Sequence, residues 1–481
     1  MIPLTLAEIA EATGGRLHNA TGDETVTGSV EFDSRQLGAG GLFVAVPGER
    51  VDGHDFGAAA MKQGAVGVLA AREVDAPAVI VPAVADAHVG SVALAGDTDG
   101  SGAAVLAGLA AIARAVVDRL PNLTVVGVTG SSGKTSTKDL ISQVLEPLGP
   151  TVAPPGSFNN ELGHPWTVLR ADETTKHLVL ELSARGPGHI RALCETAPPN
   201  IGVVLNVGSA HLGEFGSREG IAQTKGELAE AATDVAILNA DDPLVKAMAD
   251  RAKARVVLVG ENQEVRAADI QLDEQARATF QLVTPKGTAK VTLGLHGAHH
   301  VGNALSAAAV ALELGGTPEG IARSLSDAQR RSARRMEVTT RDDGVTIVND
   351  SYNANPESMS AALRTLARMA GPDKERRTWA VLGVMGELGD EGADAHEEIG
   401  RLAARLGIDR LVAVDEQAGA IQHGARLEGS GTGEEPVLVP DVKAAVALLD
   451  TELRPGDVVL VKASKVAALW QVADALLGSR A

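Results

Sequence analysis

The stretch GSSGKTS, residues 130–136, carries the most specific chemical signal in the sequence. It follows the apolar run LTVVGVT and leads into STKDLISQVLEPL, so the order is that of a strand, a glycine-rich turn and a helix. Gly130 and Gly133 allow the backbone to bend until its N–H groups point at phosphate oxygens, and the N-terminus of the helix adds partial positive charge. Lys134 can reach the β- and γ-phosphates of a nucleotide, and the Thr135 hydroxyl can bind Mg²⁺. These features predict a nucleoside triphosphate site. Its expected contacts are Gly130, Ser131, Ser132, Gly133, Lys134, Thr135 and Ser136.

The phosphate loop alone does not identify the reaction. Val128 stands where the general pattern has its first glycine, so the loop has the shorter form G-x-x-G-K-T. A kinase, a GTPase, a transporter and a ligase all remain possible, and a glycine-rich turn with a surface lysine is the interpretation that involves no nucleotide. Other residues must therefore decide what the phosphate is used for.

Three ionisable residues further along the chain could complete a phosphoryl-transfer site. Glu181 ends the apolar run HLVLE, and the end of a strand beside a phosphate loop is the expected place for a Mg²⁺ ligand. His211 lies in the loop after a strand that ends at Asn206, and Lys225 lies on a predicted helix in QTKGEL. A solvated glutamate, a surface histidine and a solvated lysine are the alternative interpretations.

The elements that must position these residues form an alternating pattern. The apolar runs LTVVGVT, HLVLELS, IGVVLNV and DVAILNA are separated by helix-like stretches, which predicts a parallel sheet with ligands at the carboxyl ends of its strands. We assign this central domain to residues 93–330, with a helix near residues 103–120 and a β-rich insertion over residues 264–295.

Two further segments flank the central one. Residues 1–92 contain short apolar runs separated by Gly and Pro and predict a small α/β domain. Residues 331–481 contain five more strand candidates separated by helix-like stretches and predict a Rossmann-like domain. The predicted fold class is therefore α/β with three domains: a small N-terminal α/β domain, a central P-loop parallel-sheet ATPase domain and a C-terminal Rossmann-like domain.

Composition excludes several classes of protein. A net charge of −19 over 481 residues argues against nucleic acid or an anionic membrane surface as partner. The single cysteine, Cys194, excludes an internal disulfide framework and suits a reducing cytosol. The N-terminal stretch has no basic region followed by a long apolar run, and no stretch of about 18 uninterrupted apolar residues is present. We expect a cytoplasmic protein without membrane insertion.

The order of the motifs carries a resemblance to a known family. The phosphate loop is followed by ELSARGPGHI, AHLGEFGSREGIAQTKGE, GAHHVGNALSAA and NDSYNANPESMSAAL. This order resembles the Mur ligase family of peptidoglycan synthesis over nearly the whole chain. The early stretch FDSRQLGAGGLFVAVPGERVDGHDF resembles the family's uridine-nucleotide-binding domain. Within the family, NDSYNANPESM is most similar to the member that adds D-alanyl-D-alanine to UDP-N-acetylmuramoyl-tripeptide, and the DNPR-like element of the diaminopimelate-adding member is not found.

The resemblance implies a reaction and its reactants. Family members transfer the γ-phosphoryl group of ATP to a substrate carboxylate, and an amine then attacks the acyl phosphate to give an amide, ADP and phosphate. The expected ligands are ATP, two Mg²⁺ ions, UDP-N-acetylmuramoyl-tripeptide and D-alanyl-D-alanine, and the expected state is a monomer. Split motifs in the central and C-terminal segments imply that the domains close around the reactants.

The resemblance also implies roles for individual residues. Thr135 and Glu181 match the ligands of a first Mg²⁺ and His211 a ligand of the second. Lys225 matches a lysine that the family carries as a carbamate, which requires a neutral, desolvated amine. The expected catalytic residues are Lys134, Glu181, His211 and Lys225. The other expected nucleotide contacts are His299, Asn303, Arg335, Asp350, Tyr352 and Asn353. The expected contacts of the other substrates are Ser34, Arg35, His54, Asn159, Asn160, Asn355 and His396.

Some positions depart from the family pattern. His300 stands where asparagine is usual, and VKASK has Ala463 and Lys465 where the family has VKGSR. The alternatives that the sequence leaves open are a Mur-type ligase that adds a single amino acid such as diaminopimelate or lysine, a folylpolyglutamate synthase, a regulatory P-loop ATPase and an inactive nucleotide-binding scaffold.

Overall fold

The computed structural model describes residues 1–48, 50–84, 97–209, 212–371, 373, 375–429 and 434–478. The N-terminal segment is a small α/β unit around a five-stranded sheet of order β2-β7-β6-β5-β4, in which the pair β2–β7 alone is antiparallel. A second, two-stranded sheet pairs β1 with β3. The elements are β1 Leu4–Thr5, α1 Leu6–Thr13, β2 Arg16–His18, β3 Thr25–Val26, β4 Val30–Glu31, β5 Gly41–Val44, α2 Gly57–Lys62, β6 Ala65–Ala70 and β7 Ala78–Ile80.

Helix α3, Ser101–Asp118, follows the N-terminal unit and lies close to the predicted position. By length and composition it is the one helix among the described residues that could cross a membrane, yet 56% of it is buried inside the protein. Its apolar residues Val105, Leu109, Ile112 and Val116 recur at helical spacing and pack against α1 and β6 and against the central segment. This is how a core helix of a globular protein accommodates an apolar sequence.

The central segment contains the predicted parallel sheet. The strand order is β13-β12-β11-β8-β10-β9, and the paired strands run parallel throughout. Because β10 and β11 flank β8, the residues after all three strands meet at one edge of the sheet. The elements are β8 Thr124–Thr129, α4 Lys134–Leu145, β9 Thr151–Val152, α5 Gly163–Val168, β10 His177–Glu181, α6 His189–Thr196, β11 Ile201–Val204, α7 Leu212–Phe215, α8 Arg218–Ala231, β12 Val235–Asn239, α9 Pro243–Lys246 and β13 Arg255–Val259.

An antiparallel three-stranded sheet of order β14-β15-β16 then forms the predicted β-rich insertion. Phe280, Leu282, Val291 and Leu293 alternate along it and are buried in the same apolar cluster as the helix that follows. The elements are β14 Arg266–Leu272, β15 Arg277–Thr284, β16 Gly287–His296, α10 His300–Glu313 and α11 Pro318–Asp327.

The C-terminal segment is a second doubly wound unit, as predicted. Its sheet has the order β17-β18-β22-β19-β20-β21, and only the pair β17–β18 is antiparallel. The elements are β17 Glu337–Thr340, β18 Thr346–Asn349, α12 Pro356–Met369, β19 Thr378–Leu382, α13 Gly392–Arg405, β20 Arg410–Val414, α14 Gly419–Glu428, β21 Val437–Val439, α15 Val442–Glu452, β22 Val458–Lys462 and α16 Trp470–Leu476. The predicted α/β class with three such units is confirmed.

The distribution of the apolar cores distinguishes the segments. One cluster is continuous from Leu6 and Ile9 of the N-terminal unit to Leu109 and Leu180 of the central one. The two clusters of the C-terminal unit consist of residues from 336 onward, apart from Ala276. The C-terminal unit therefore has its own core.

Candidate active site

A cavity of about 960 Å³ lies where the three segments meet. Its lining includes Phe32 from the N-terminal unit, residues 131–136 and 155–163 from the central unit, and residues 352–355, 357 and 358 from the C-terminal unit. This volume is large enough for a nucleotide and further substrate groups. The cavity lies at the carboxyl edge of the central sheet, which is where parallel sheets place their ligands.

The phosphate loop has the predicted conformation. Gly133 has φ +80° and precedes α4, and a Cβ at this position would lie 2.9 Å from Asn303 Oδ1. Asn206 holds the loop from the side, because its backbone carbonyl accepts from Ser131 N at 3.1 Å and its Oδ1 accepts from Ser132 N at 2.9 Å. The loop is thus fixed to the strand next to β8 before any ligand is bound.

Lys134 points back across the loop. Its Nζ donates to the carbonyl of Gly130 at 2.7 Å, so the ammonium lies over the turn that would hold phosphate. Burial lowers the pKa of Lys134 and the charge of Arg335 lowers it further, while the carboxylate of Glu181 opposes this change. Beside the phosphate loop, two basic side chains, Lys134 and Arg335, therefore act against the single carboxylate of Glu181.

Thr135 and Glu181 meet at the carboxyl ends of β8 and β10. Thr135 Oγ1 donates to Glu181 Oε2 at 2.8 Å, and Glu181 is only 1% exposed. The other oxygen, Oε1, accepts from Ser157 Oγ at 2.8 Å and from Asn159 Nδ2 at 2.7 Å. The carboxylate is therefore held in one orientation by three neutral donors.

This donor set fits Mg²⁺. A hydroxyl and a carboxylate supply hard oxygen atoms, the type that Mg²⁺ prefers. In the described part of the chain, no group of three or more His, Cys, Asp or Glu side chains forms a complete metal cage. The predicted second ligand, His211, lies outside the described residues.

Lys225 is buried on α8, with 4% of its surface exposed. Burial lowers its pKa well below the ordinary value for lysine, and the charge of Lys134 lowers it further. A solvated lysine, the alternative that the sequence left open, is therefore excluded. A neutral amine at this position has the nucleophilic lone pair that carbamate formation requires.

His299, His300 and Asn303 stand at the start of α10, on the far side of the phosphate loop. The two imidazole rings lie 4.2 Å apart between centroids, and Asn303 Nδ2 lies 3.4 Å from His300 Nδ1. Burial lowers the pKa of both histidines. All three residues line the cavity, so His300 presents a neutral ring where the family pattern has an amide.

Arg335 and Tyr352 enter the cavity from the C-terminal unit. The Arg335 guanidinium lies 4.2 Å from the centroid of the Tyr352 ring, a cation–π arrangement. Arg335 Nε is buried and has no hydrogen-bond partner among the described residues. The neighbours Arg334 and Met336 have φ values of +59° and +47°, a strained backbone that is typical of functional segments.

Asp350 is held by a lysine that the sequence analysis did not single out. Lys462, 2% exposed at its side chain, donates to Asp350 Oδ2 at 2.7 Å and to the carbonyl of Asn353 at 2.9 Å. Asp350 Oδ1 accepts from Met336 N at 3.0 Å. A lysine inside the apolar strand DVVLVK was the available signal, because an unpaired charge is not retained in a sheet core.

Arg185 is another lining cation that was not singled out. Its Nη2 lies 3.0 Å from Glu387 Oε1 of the predicted MGELG element, and both residues line the cavity. This ion pair joins the central and C-terminal units.

Aromatic side chains stand on the side of the N-terminal unit. Phe32 and Phe158 line the cavity, and the Trp166 ring packs against both.

The predicted substrate residues divide into two groups. Asn159, Asn160 and Asn355 line the cavity. Ser34 and Arg35 lie in the turn after Phe32, outside the cavity lining, and Arg35 is paired with Asp33 at 2.8 Å. They are close in sequence to the lining residue Phe32, but they belong to an adjoining surface.

His54 and His396 have their rings inside the protein. The His54 side chain has no exposed surface, its Nε2 accepts from Ala71 N at 3.0 Å, and Nδ1 lies 2.6 Å from Asp52 Oδ1. His396 Nε2 accepts from Met385 N at 2.8 Å, so its Nδ1 carries the proton and donates to the carbonyl of Gly392. Neither ring lines the cavity, so both histidines shape loops rather than touch a ligand there.

Comparisons with known proteins agree with this geometry. Sequence models of the Mur ligase family match three parts of the chain: the "Mur ligase family, catalytic domain" at residues 27–114, the "Mur ligase middle domain" at residues 128–311 and the "Mur ligase, glutamate ligase domain" at residues 334–465.

Similar proteins extend over the full length. The UDP-N-acetylmuramoyl-tripeptide–D-alanyl-D-alanine ligase of Mycobacterium tuberculosis H37Rv is 56% identical over 99% of this chain and 98% of its own length. The ligase of the same name from Escherichia coli K12 is 33% identical over 99% of both chains. A crystal structure of MurF from Acinetobacter baumannii superposes with a TM-score of 0.84, 31% identity and 99% coverage of both chains. MurF from Thermotoga maritima in complex with ADP gives a TM-score of 0.77 at 29% identity, covering 94% of this chain and 98% of its own.

Proposed function

The chain belongs to the Mur ligase family, and on that premise we propose that it joins D-alanyl-D-alanine to UDP-N-acetylmuramoyl-tripeptide in peptidoglycan precursor synthesis. ATP is converted to ADP and phosphate in the same reaction. The observation that carries this assignment is the 56% identity, over 99% of the chain, to a ligase with that name. The enzyme is thus an ADP-forming ligase.

The chemistry explains why the site needs a phosphate loop. A carboxylate resists attack by an amine because it is charged and because oxide is a poor leaving group. A carboxylate oxygen therefore attacks the γ-phosphorus of ATP, the bond to the ADP oxygen breaks, and an acyl phosphate forms. The amine of the dipeptide then attacks the carbonyl carbon, phosphate leaves, and the amine proton is lost to give the amide.

Residues of the chain serve the first step by position and charge. Lys134 and the phosphate loop hold the β- and γ-phosphates, and Arg335, stacked on Tyr352, brings a second cation from the C-terminal unit. Asp350, which Lys462 fixes, would bind the ribose. The base contacts come from His299 and Asn303, with the neutral His300 beside them.

Thr135 and Glu181 would hold Mg²⁺, and His211 is a candidate for a second ion. When bound, Mg²⁺ neutralises phosphate charge and favours attack by an anionic nucleophile. The support for the first ion is the fixed pair of oxygen donors at the end of β8 and β10. The support for the second is the family pattern around His211.

We further infer that Lys225 is carbamylated. CO₂ adds to a neutral amine, and the buried position of Lys225 next to another cation favours the neutral form. The resulting carboxylate would carry negative charge toward the cationic phosphate site, which contains Lys134 and Arg335.

The three units act as domains, for which we retain residues 1–92, 93–330 and 331–481. The first boundary falls within residues 85–96, which lie outside the described residues. Closure of the third domain brings Arg335, Asp350 and Tyr352 to the phosphate loop, and it shields the acyl phosphate from water. We also expect a cytoplasmic monomer with no nucleic-acid partner, since the net charge is −19.

The test is phosphate release with ATP and UDP-N-acetylmuramoyl-tripeptide. Release that requires D-alanyl-D-alanine supports the proposal, and release with free diaminopimelate or lysine supports a member that adds a single amino acid. Full-rate hydrolysis without any amine supports a regulatory ATPase. Lys134→Ala should abolish ligation because it removes charge and positioning, whereas Lys290→Ala, at an exposed lysine of β16, should leave it intact.

A further inference from the structure

The first turn of α12 in the C-terminal domain contacts a loop of the central domain. Glu357 Oε1 accepts from Ser209 N at 2.8 Å and from Ser209 Oγ at 3.0 Å. Ser209 belongs to the loop that follows β11, at the edge of the sheet beside the phosphate loop. One carboxylate oxygen thus receives two hydrogen bonds from one residue across the domain boundary.

The contacted loop is itself joined to the phosphate loop. Gly208 N donates to Ser131 Oγ at 2.9 Å, and Asn206 exchanges hydrogen bonds with Ser132. A displacement of Ser209 is therefore expected to shift Gly208 and Asn206, the two residues that hold the phosphate loop.

Close packing of the Glu357 carboxylate against Gly208 accompanies these hydrogen bonds. A Cβ at Gly208 would lie 2.5 Å from Glu357 Cδ and 2.7 Å from its Oε1. The approach of the carboxylate to the loop therefore requires glycine at this position. Asn355, which caps α12, adds a second contact, since its Nδ2 lies 3.4 Å from the carbonyl of Ser131.

We propose that Glu357 is a positioning residue that couples docking of the C-terminal domain to the arrangement of the phosphate loop and the loop of residues 205–209. This inference rests on the proposed ligase function. Glu357 lines the cavity, and its carboxylate is bonded to the loop of residues 205–209 rather than to the phosphate loop itself. It fixes that loop only when the C-terminal domain has docked. Phosphoryl transfer is thereby restricted to the closed enzyme, where the amine is at hand and water is excluded.

The kinetic test compares Glu357→Ala and Glu357→Gln with Glu319→Ala. Glu319 is the matched control because it occupies the same position of α11, directly after a capping residue and a proline, and it is exposed. We expect Glu357→Ala to lower kcat about fivefold to tenfold, with KM for ATP changed by less than about twofold. Glu357→Gln keeps one acceptor oxygen and should recover most of the activity. Glu319→Ala should match the wild type, since it removes only a favourable helix-terminal charge.

A double-mutant cycle adds a test of the contact itself. Gly208→Ala displaces the Glu357 carboxylate, so it should lower kcat in the wild-type background and add little in the Glu357→Ala background. Additive losses, or a Glu357→Ala enzyme with wild-type kcat, would overturn the proposal.

Amide exchange separates this proposal from the assignment of the substrates. The Ser209 N–H should exchange at least about fivefold faster in Glu357→Ala than in the wild type, whichever amine the enzyme uses. Unchanged exchange at Ser209 contradicts the positioning role even if D-alanyl-D-alanine is the substrate. Conversely, faster exchange in an enzyme that does not use D-alanyl-D-alanine would refute the substrate assignment but support the Glu357–Ser209 contact.

Discussion

Lys225 on α8 lies buried within the electrostatic reach of Lys134 at the start of α4. Burial is the main cause of the lowered pKa of Lys225, and the charge of Lys134 adds to it. The two lysines are 91 positions apart by their numbers, 225 and 134, and the parallel sheet brings them together. Their proximity favours the neutral form of Lys225.

Carbamylation of Lys225 is the first prediction. Incubation with ¹³C-bicarbonate should give a carbamate resonance in the wild type and none in Lys225→Arg, because the guanidinium does not take up CO₂. The folded pKa lies below the ordinary lysine value, so labelling should begin at lower pH than for a solvated lysine and rise with pH as the neutral form grows. A wild-type spectrum identical to that of Lys225→Arg would refute the carbamate.

The Thr135–Glu181 pair gives the second prediction. Glu181→Gln removes the charge but keeps the shape, and we expect the Mg²⁺ concentration for half-maximal activity to rise by at least about 10-fold. Thr135→Ser keeps the hydroxyl and should stay near wild type, whereas Thr135→Val should behave like Glu181→Gln. Magnesium titrations at a fixed ATP concentration measure the Mg²⁺ concentration for half-maximal activity of each variant. Equal behaviour of the serine and valine variants would exclude a ligand role for the Thr135 hydroxyl.

The third prediction concerns the stack of Arg335 on Tyr352. A cation–π contact is worth about 0.5–2 kcal/mol, which corresponds to about 2-fold to 30-fold in affinity. Tyr352→Phe preserves the ring and should leave KM for ATP nearly unchanged, whereas Tyr352→Leu should raise it within that range. If both variants raise KM equally, the phenol hydroxyl rather than the ring face positions Arg335.

The fourth prediction concerns stability in acid. His164 on α5 is fully buried, neither ring nitrogen has a hydrogen-bond partner among the described residues, and burial lowers its pKa to about 3. Below the ordinary histidine pKa of about 6.5, the unfolded chain binds a proton that the folded chain does not, so this residue destabilises the fold as pH falls from there toward 3.

His164→Leu removes that sensitivity. Between about pH 7 and pH 4.5, two units below the unfolded pKa, the variant should lose about 2–3 kcal/mol less stability than the wild type. Urea unfolding followed by fluorescence of the nearby Trp166 measures the difference. His423→Leu, at an exposed histidine of α14, is the matched control. Parallel acid profiles for wild type and His164→Leu would show that His164 is charged or solvated in the folded state.

Much of the site was predictable because its geometry is local. The phosphate loop follows from a strand, two glycines and a helix N-terminus within a dozen residues, and Gly133 has the positive φ that such a turn requires. The family resemblance added the order of the motifs, and it identified Lys225 and Asp350 as candidates. The periodicity of apolar runs was sufficient for the α/β class and for the β-rich insertion.

Other features depended on which residues face one another. Sequence predicted substrate contacts for His54 and His396, yet both rings are enclosed and hold loops through backbone groups. A lysine at the end of an apolar strand indicates that its charge has a partner, but the sequence does not identify that partner as Asp350, 112 residues away, and Lys462 was passed over. Hydrogen bonds of that separation are set by strand order, which a single sequence does not reveal.

The sequence by itself determined the chemistry: a phosphate loop, an acidic strand end and a lysine in a helix are fixed by residue type and short-range backbone preference. Tertiary structure alone decided the pKa shifts of the buried groups and the contacts between the domains. Parallel strands β10, β8 and β11 bring Glu181 to Thr135 across 46 residues, and docking of the C-terminal domain brings Glu357 to Ser209 across 148. The physical reason is that pKa values and contacts between domains depend on burial and proximity in space, which arise only when distant segments pack together.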